Sequence, residues 1–226
     1  FEDLSTHLAK YVRETAQRYE DRAMVLEVAD RVSRPTPLGL DSMQQLQLLS
    51  DCVRAASTAA PALPRMVTIG LPFGETMSIQ QTDLSPLHFA DYLLRSETGL
   101  SAIGLEISCG DNSLGYPPRD PLDVARLLER WAILGQPLLT ILHVLNTPDG
   151  NAETDRTPES PLSPARRVDS PSTVDYVKQM IAVSFANTSV QGVLWCPEDP
   201  STGEPCLEGG EAIAEAFRQW KDWLGC

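Results

Sequence analysis

Apolar residues recur along this chain with two alternating spacings. Leu4, Leu8, Tyr11 and Val12 repeat every three to four residues, so 4–19 reads as an amphipathic helix. The compact apolar run AMVLEVA (23–29) then reads as a strand. The alternation continues: helix 41–57 with Asp41 or Ser42 as N-cap, strand 65–71, helix 85–97 with Ser85 as cap and Pro86 in its first turn. Strand 101–108, helix 120–135 (Pro121 at its start, Gly135 at its end), strand 136–144, helix 171–187, strand 190–196 and helix 209–224 follow.

Helices and strands in strict alternation predict an α/β fold, a parallel sheet with crossover helices. Continuous apolar strands agree, because parallel strands are covered on both faces. Five strands do not close an eight-stranded barrel. The pattern therefore fits either an open α/β sheet or a partial (β/α)8 TIM-type barrel with about five β/α units. Residues 1–226 are read as a single β/α domain, the C-terminal half of such a barrel. Residues 145–172 interrupt it, rich in Pro, Ser, Thr and Asp, and read as a mobile loop insertion beyond the fourth strand. The chain opens inside a helical pattern, which points to a piece of a longer protein whose targeting signals lie elsewhere, so localisation stays unknown.

Composition narrows the partners. At 42% hydrophobic over 226 residues the chain builds a substantial core. A formal charge of −13 disfavours nucleic acid and anionic membrane surfaces, which are bound through Lys and Arg clusters. No apolar run approaches the roughly 18 residues that span a bilayer. The five cysteines are scattered without CxxC spacing and read mostly as free thiols, with Cys196–Cys206 as the one loop bridge to consider. No metal site or cofactor is expected. The phosphate-binding, dinucleotide, zincin and hydrolase-elbow motifs are absent.

What remains is polar residues at strand ends. Strict alternation puts Glu27, Ala29 and Arg31 on one side of the first strand and Leu26 and Val28 on the other. Glu75 follows the second strand. Glu106 and Ser108 close the third, on the face opposite Ile103, Leu105 and Ile107. His143 ends the fourth; Trp195 ends the fifth, with Glu198 and Asp199 just beyond. Carboxylates accept hydrogen bonds from sugar hydroxyls and Trp faces stack on pyranose rings, so this ring of residues points to a carbohydrate cleft. A Glu27–Arg31 or Glu106–Arg ion pair bracing the strand ends is the competing reading.

Four stretches resemble glycoside hydrolase family 10, the xylanases. The segment 4–33 is similar to the run into that family's fourth barrel strand. LSAIGLEISC resembles its sixth strand, GQPLLTILHV its seventh and VQGVLWCPEDP its eighth, with a Trp at the strand end. The resemblance implies a (β/α)8 barrel with its cleft at the C-terminal face. It places Arg31 at the family's acid/base glutamate, Asp30 at the preceding asparagine and Glu27 at a buried aspartate. The nucleophile position falls on Leu142, or on His143 one register away. Glu106 takes a substrate-side glutamine position, Ser108 a histidine position, and Trp195 the subsite tryptophan.

The function expected is therefore a carbohydrate-active protein resembling endo-1,4-β-xylanases, with its usual catalytic glutamates replaced. A relocated pair, Glu106 with Glu75, would carry O-glycosyl hydrolysis, and Glu27, Asp30, Arg31, Ser108, His143, Trp195 and Asp199 would contact substrate. The alternative is a catalytically silent barrel that binds glycans or partners. Oligomeric state is undetermined.

Overall fold

A computed structural model describes residues 1–33, 38–74, 84–109, 119–144, 173–196 and 210–224. Glu75, Glu198, Asp199, Cys206, Cys226 and the insertion 145–172 lie outside the described residues, as do the side chains of Cys109 and Trp223.

Local chemistry sets most element ends. Helix α1 spans Glu2–Tyr19, with Glu2 and Asp3 in its first turn facing the positive end of the helix dipole. Helix α2 (Ser42–Ala59) starts at Asp41, whose carboxylate accepts the Gln44 N–H while the Gln44 side chain accepts the Asp41 N–H, a reciprocal cap. Helix α3 (Pro86–Arg95) starts at Ser85, whose hydroxyl accepts the His88 N–H. Helix α4 (Pro121–Ala132) starts at Asp120, which accepts the Leu122 N–H. Gly135 follows it at φ +69°, a left-handed turn suited to a residue without Cβ. Helices α5 (Thr173–Ala186) and α6 (Gly210–Leu224) complete the layer.

The strands are β1 (Leu26–Val32), β2 (Arg65–Ile69), β3 (Ala102–Cys109), β4 (Leu138–Val144) and β5 (Val190–Trp195). All neighbours pair in parallel, in the order β1-β2-β3-β4-β5. This order separates the two architectures left open by the sequence. A doubly wound sheet reverses its strand order at a switch point; a barrel adds each strand beside the last. The described sheet is an arc of a (β/α)8 barrel.

Its outward face carries the main core: Val67, Ile69, Ile103, Leu105, Ile107, Leu138 and Leu142 pack with Phe89, Leu93, Leu128 and Trp131 of the helices. A second cluster joins Val12 and Ala16 of α1 to Cys52 and Ala56 of α2. Burial pushes the Cys52 thiol up to about 11, so it behaves as an inert core residue. The inward face is lined by a small apolar layer, Met66, Ala102 and Ile141, with Leu139 beside it.

The first strand corrects the sequence reading in both bounds and facing. It runs three residues past Ala29, and uses seven residues where β2 uses five. Glu27 registers with Met66, Ala29 with Val67 and Val32 with Ile69, so a bulge falls in each interval. The first bulge turns Ala29 outward, against the helix-facing core, and away from Glu27.

Candidate active site

Among the described residues Glu106 is the most deeply buried carboxylate at the C-terminal end of the arc, 2% exposed. It registers with Ile141 of the inward layer, so alternation aims it into the barrel, as its place in IGLEIS predicts. A carboxylate is costly to bury without partners. Among the described residues Arg31 Nε donates to Oε2 at 3.0 Å, and Ser108 Oγ donates to Oε1 at 3.1 Å.

Arg31 reaches Glu106 because the second bulge of β1 redirects it. Its φ is +50°, in the left-handed region that a β-carbon disfavours. Ser33 and Leu71, just past the ends of β1 and β2, share that conformation at +70° and +54°. Strained backbone is thus concentrated at the C-terminal ends of these two strands, where barrel enzymes build their sites. Arg31 also lies 3.6 Å from Asp30, an exposed carboxylate that adds little beside the Glu106 pair.

Below this pair stands Glu27, held by a hydrogen bond from Thr68 Oγ1. Burial raises the Glu27 pKa above 4.5; the Thr68 bond opposes that, Asp30 adds to it, Arg31 opposes it and Glu106 adds to it. The residue as a whole is exposed on the first strand, so water screens much of this push. Thr68 carries no sequence motif, but alternation places it two residues from Met66 on the same inward face. Gly104 makes room for it: a Cβ there would come within 2.5 Å of Thr68 Oγ1.

Strand pairing also settles the end of β4. Ser108 registers with His143, so His143 is the inward residue and is buried, while Leu142 belongs to the outward core. The expectation for Trp195 is corrected. It registers with Leu142 and packs against the helix-facing core, on the opposite face from Glu106. The inward face thus brings together Glu27, Thr68, Arg31, Glu106, Ser108 and His143. Among the described residues no group of three or more His, Cys, Asp and Glu is placed to hold a metal ion. No described helix is long and apolar enough to cross a membrane.

No family model matches this chain, and no curated protein matches it in sequence. Solved structures do match in shape. The GH10 xylanase of Thermobacillus composti is 15% identical, with a TM-score of 0.57 over 90% of this chain and 62% of its own. GH10 from Paenibacillus barcinonensis is 14% identical, with a TM-score of 0.59 over 90% and 61%. Xylanase 10B from Thermotoga petrophila, solved in complex with xylobiose, is 12% identical, with a TM-score of 0.52 over 92% and 64%. This chain spans less than two thirds of the length of each of them. What it shares with them is the fold, an arc of the (β/α)8 barrel on which GH10 xylanases are built.

Proposed function

We propose that this chain is a carbohydrate-active barrel of the glycoside hydrolase family 10 type, taking up a β-1,4-linked glycan of the xylan kind at its C-terminal face. The observation that carries this reading is Glu106, a carboxylate buried at the inward end of β3 and fixed by Arg31 and Ser108, on a fold shared with xylanases. Asp30, Arg31, Ser108 and His143 would contact sugar hydroxyls beside it, with Glu27 deeper in the arc.

Hydrolysis of an O-glycosyl bond needs two carboxyl groups, roughly 5 Å apart for retention or 6.5–9.5 Å for inversion. In this reading Glu106 supplies one group and Glu75 the other. A second reading is favoured by one observation: the family's acid/base position falls on Arg31, and Arg31 is salt-bridged to Glu106. A carboxylate so engaged binds and orients rather than attacks, which describes a glycan-binding barrel without turnover.

One experiment separates the two. Aryl xylosides, xylan and xylo-oligosaccharides are offered to the protein and to Glu106→Gln, following product release and calorimetric heat. Turnover that falls by about 10²-fold or more in Glu106→Gln supports hydrolysis. Saturable heat without turnover supports the binding barrel. Neither turnover nor heat with any glycan overturns the carbohydrate reading.

A further inference from the structure

A second concave site lies on the outer side of the arc. Phe73, Arg119, Asp123, Arg126, Leu127 and Arg130 line a cavity of about 510 Å³ between the segment after β2 and the polar face of α4. Its walls are fixed from both sides. Trp131 Nε1 donates to the Pro72 carbonyl at 3.3 Å, which clamps the segment carrying Phe73 onto α4. The Tyr176 hydroxyl accepts the Arg119 N–H at 3.2 Å and donates to the Arg119 carbonyl at 2.7 Å. The Arg119 guanidinium is stacked on the Phe73 ring, 4.1 Å from its centroid.

We propose that this cavity binds a small anion carrying a carboxylate or phosphate group. Arg126 and Arg130 present two guanidinium groups from the wall of this cavity, with Asp123 as the one carboxylate among its described lining residues. At 0.1 M salt the Debye length is about 10 Å, so the distant negative charge is largely screened and the near guanidinium groups dominate. Arg126 and Arg130 stand one helical turn apart on α4, matched to the two sides of one anionic group. Arg130 makes no ion pair among the described residues. Arg126 pairs among the described residues with the exposed Asp123, at 3.6 Å. An exposed pair of that kind is weak, and a bidentate guanidinium–anion contact displaces it readily. Leu127 and Phe73 add an apolar floor for a carbon skeleton. This inference stands apart from the glycan reading of the barrel mouth.

The test is calorimetry at constant ionic strength with sodium phosphate, sodium glucuronate and, as the control, sodium chloride. The expected result is saturable binding of phosphate or glucuronate, absent with chloride. It should weaken about tenfold or more when Arg126 and Arg130 are both replaced by Ala, since each contact is a charge-assisted bond. Arg130→Gln alone, at an exposed position, should weaken it several-fold and serves if the double variant does not fold. Response to phosphate alone assigns a phosphate group; response to glucuronate alone assigns a carboxylate sugar. No saturable binding of either anion, an equal response to chloride, or binding unchanged by both variants overturns the site.

Discussion

Two buried ions stand at opposite ends of the same sheet, and they are satisfied differently. At the N-terminal end, Arg65 is 8% exposed and opens β2. Among the described residues no carboxylate pairs with it; its guanidinium donates to the carbonyls of Ala60, Pro61, Leu63 and Gly99 at 2.7 to 3.3 Å. Three of these lie just beyond α2, where the helix dipole is negative, so a cation fits there without another charge. At the C-terminal end, Glu106 is neutralised by Arg31, whose backbone is strained to reach it. The lower ion locks loops together through neutral carbonyls alone. The upper one maintains a charged pair with one member a third exposed, beside which a ligand can compete.

If that division holds, the largest effect on stability comes from below. Arg65→Ala leaves four carbonyls short of a donor and should cost about 3–5 kcal/mol in urea unfolding, with any glycan response under the proposed function unchanged in the remaining folded protein. A loss under about 1 kcal/mol would remove the structural role of the lower ion. Arg31→Ala comes next. A buried pair broken on one side loses about 3–5 kcal/mol, but Arg31 is partly in water, so about 2–3 is expected. Adding Glu106→Gln to Arg31→Ala should restore about half of that, the mark of a pair that acts as a unit. Simple additivity of the two changes would dissolve the contrast between top and bottom.

Ser108→Ala should cost about 1 kcal/mol, because Glu106 keeps Arg31 but loses its second donor. The smallest effect concerns Glu27. Its folded pKa lies above 4.5, so its contribution is fully present below the unfolded value and fades as pH rises through the folded one. Glu27→Gln removes this dependence. Wild type should therefore lose ground to the variant as pH rises from about 4.5 toward neutrality, by a small margin because water screens so exposed a residue. Parallel stability curves across that range would show that burial does not act on Glu27.

The parts of this molecule legible in its sequence are those governed by neighbours along the chain. Asp41, Ser85 and Asp120 act on backbone N–H groups two or three residues away, so their caps are readable from spacing. The inward aim of Glu106 follows from alternation in a regular strand. Alternation failed in β1, where the bulges change the facing of Ala29 and redirect Arg31. It was silent on β4, where only pairing with β3 distinguishes Leu142 from His143.

The sequence by itself determined the helix–strand alternation, the helix caps and the carboxylate in the third strand, because periodicity and short-range hydrogen bonding act within a few residues. The tertiary structure alone decided that the strands add in order as a barrel arc. It alone brought Arg31 to Glu106 across 75 positions, and turned Trp195 into the outer core. Those outcomes depend on register between strands and on bulges that shift it, and a one-residue change of register moves a side chain to the opposite face of the sheet.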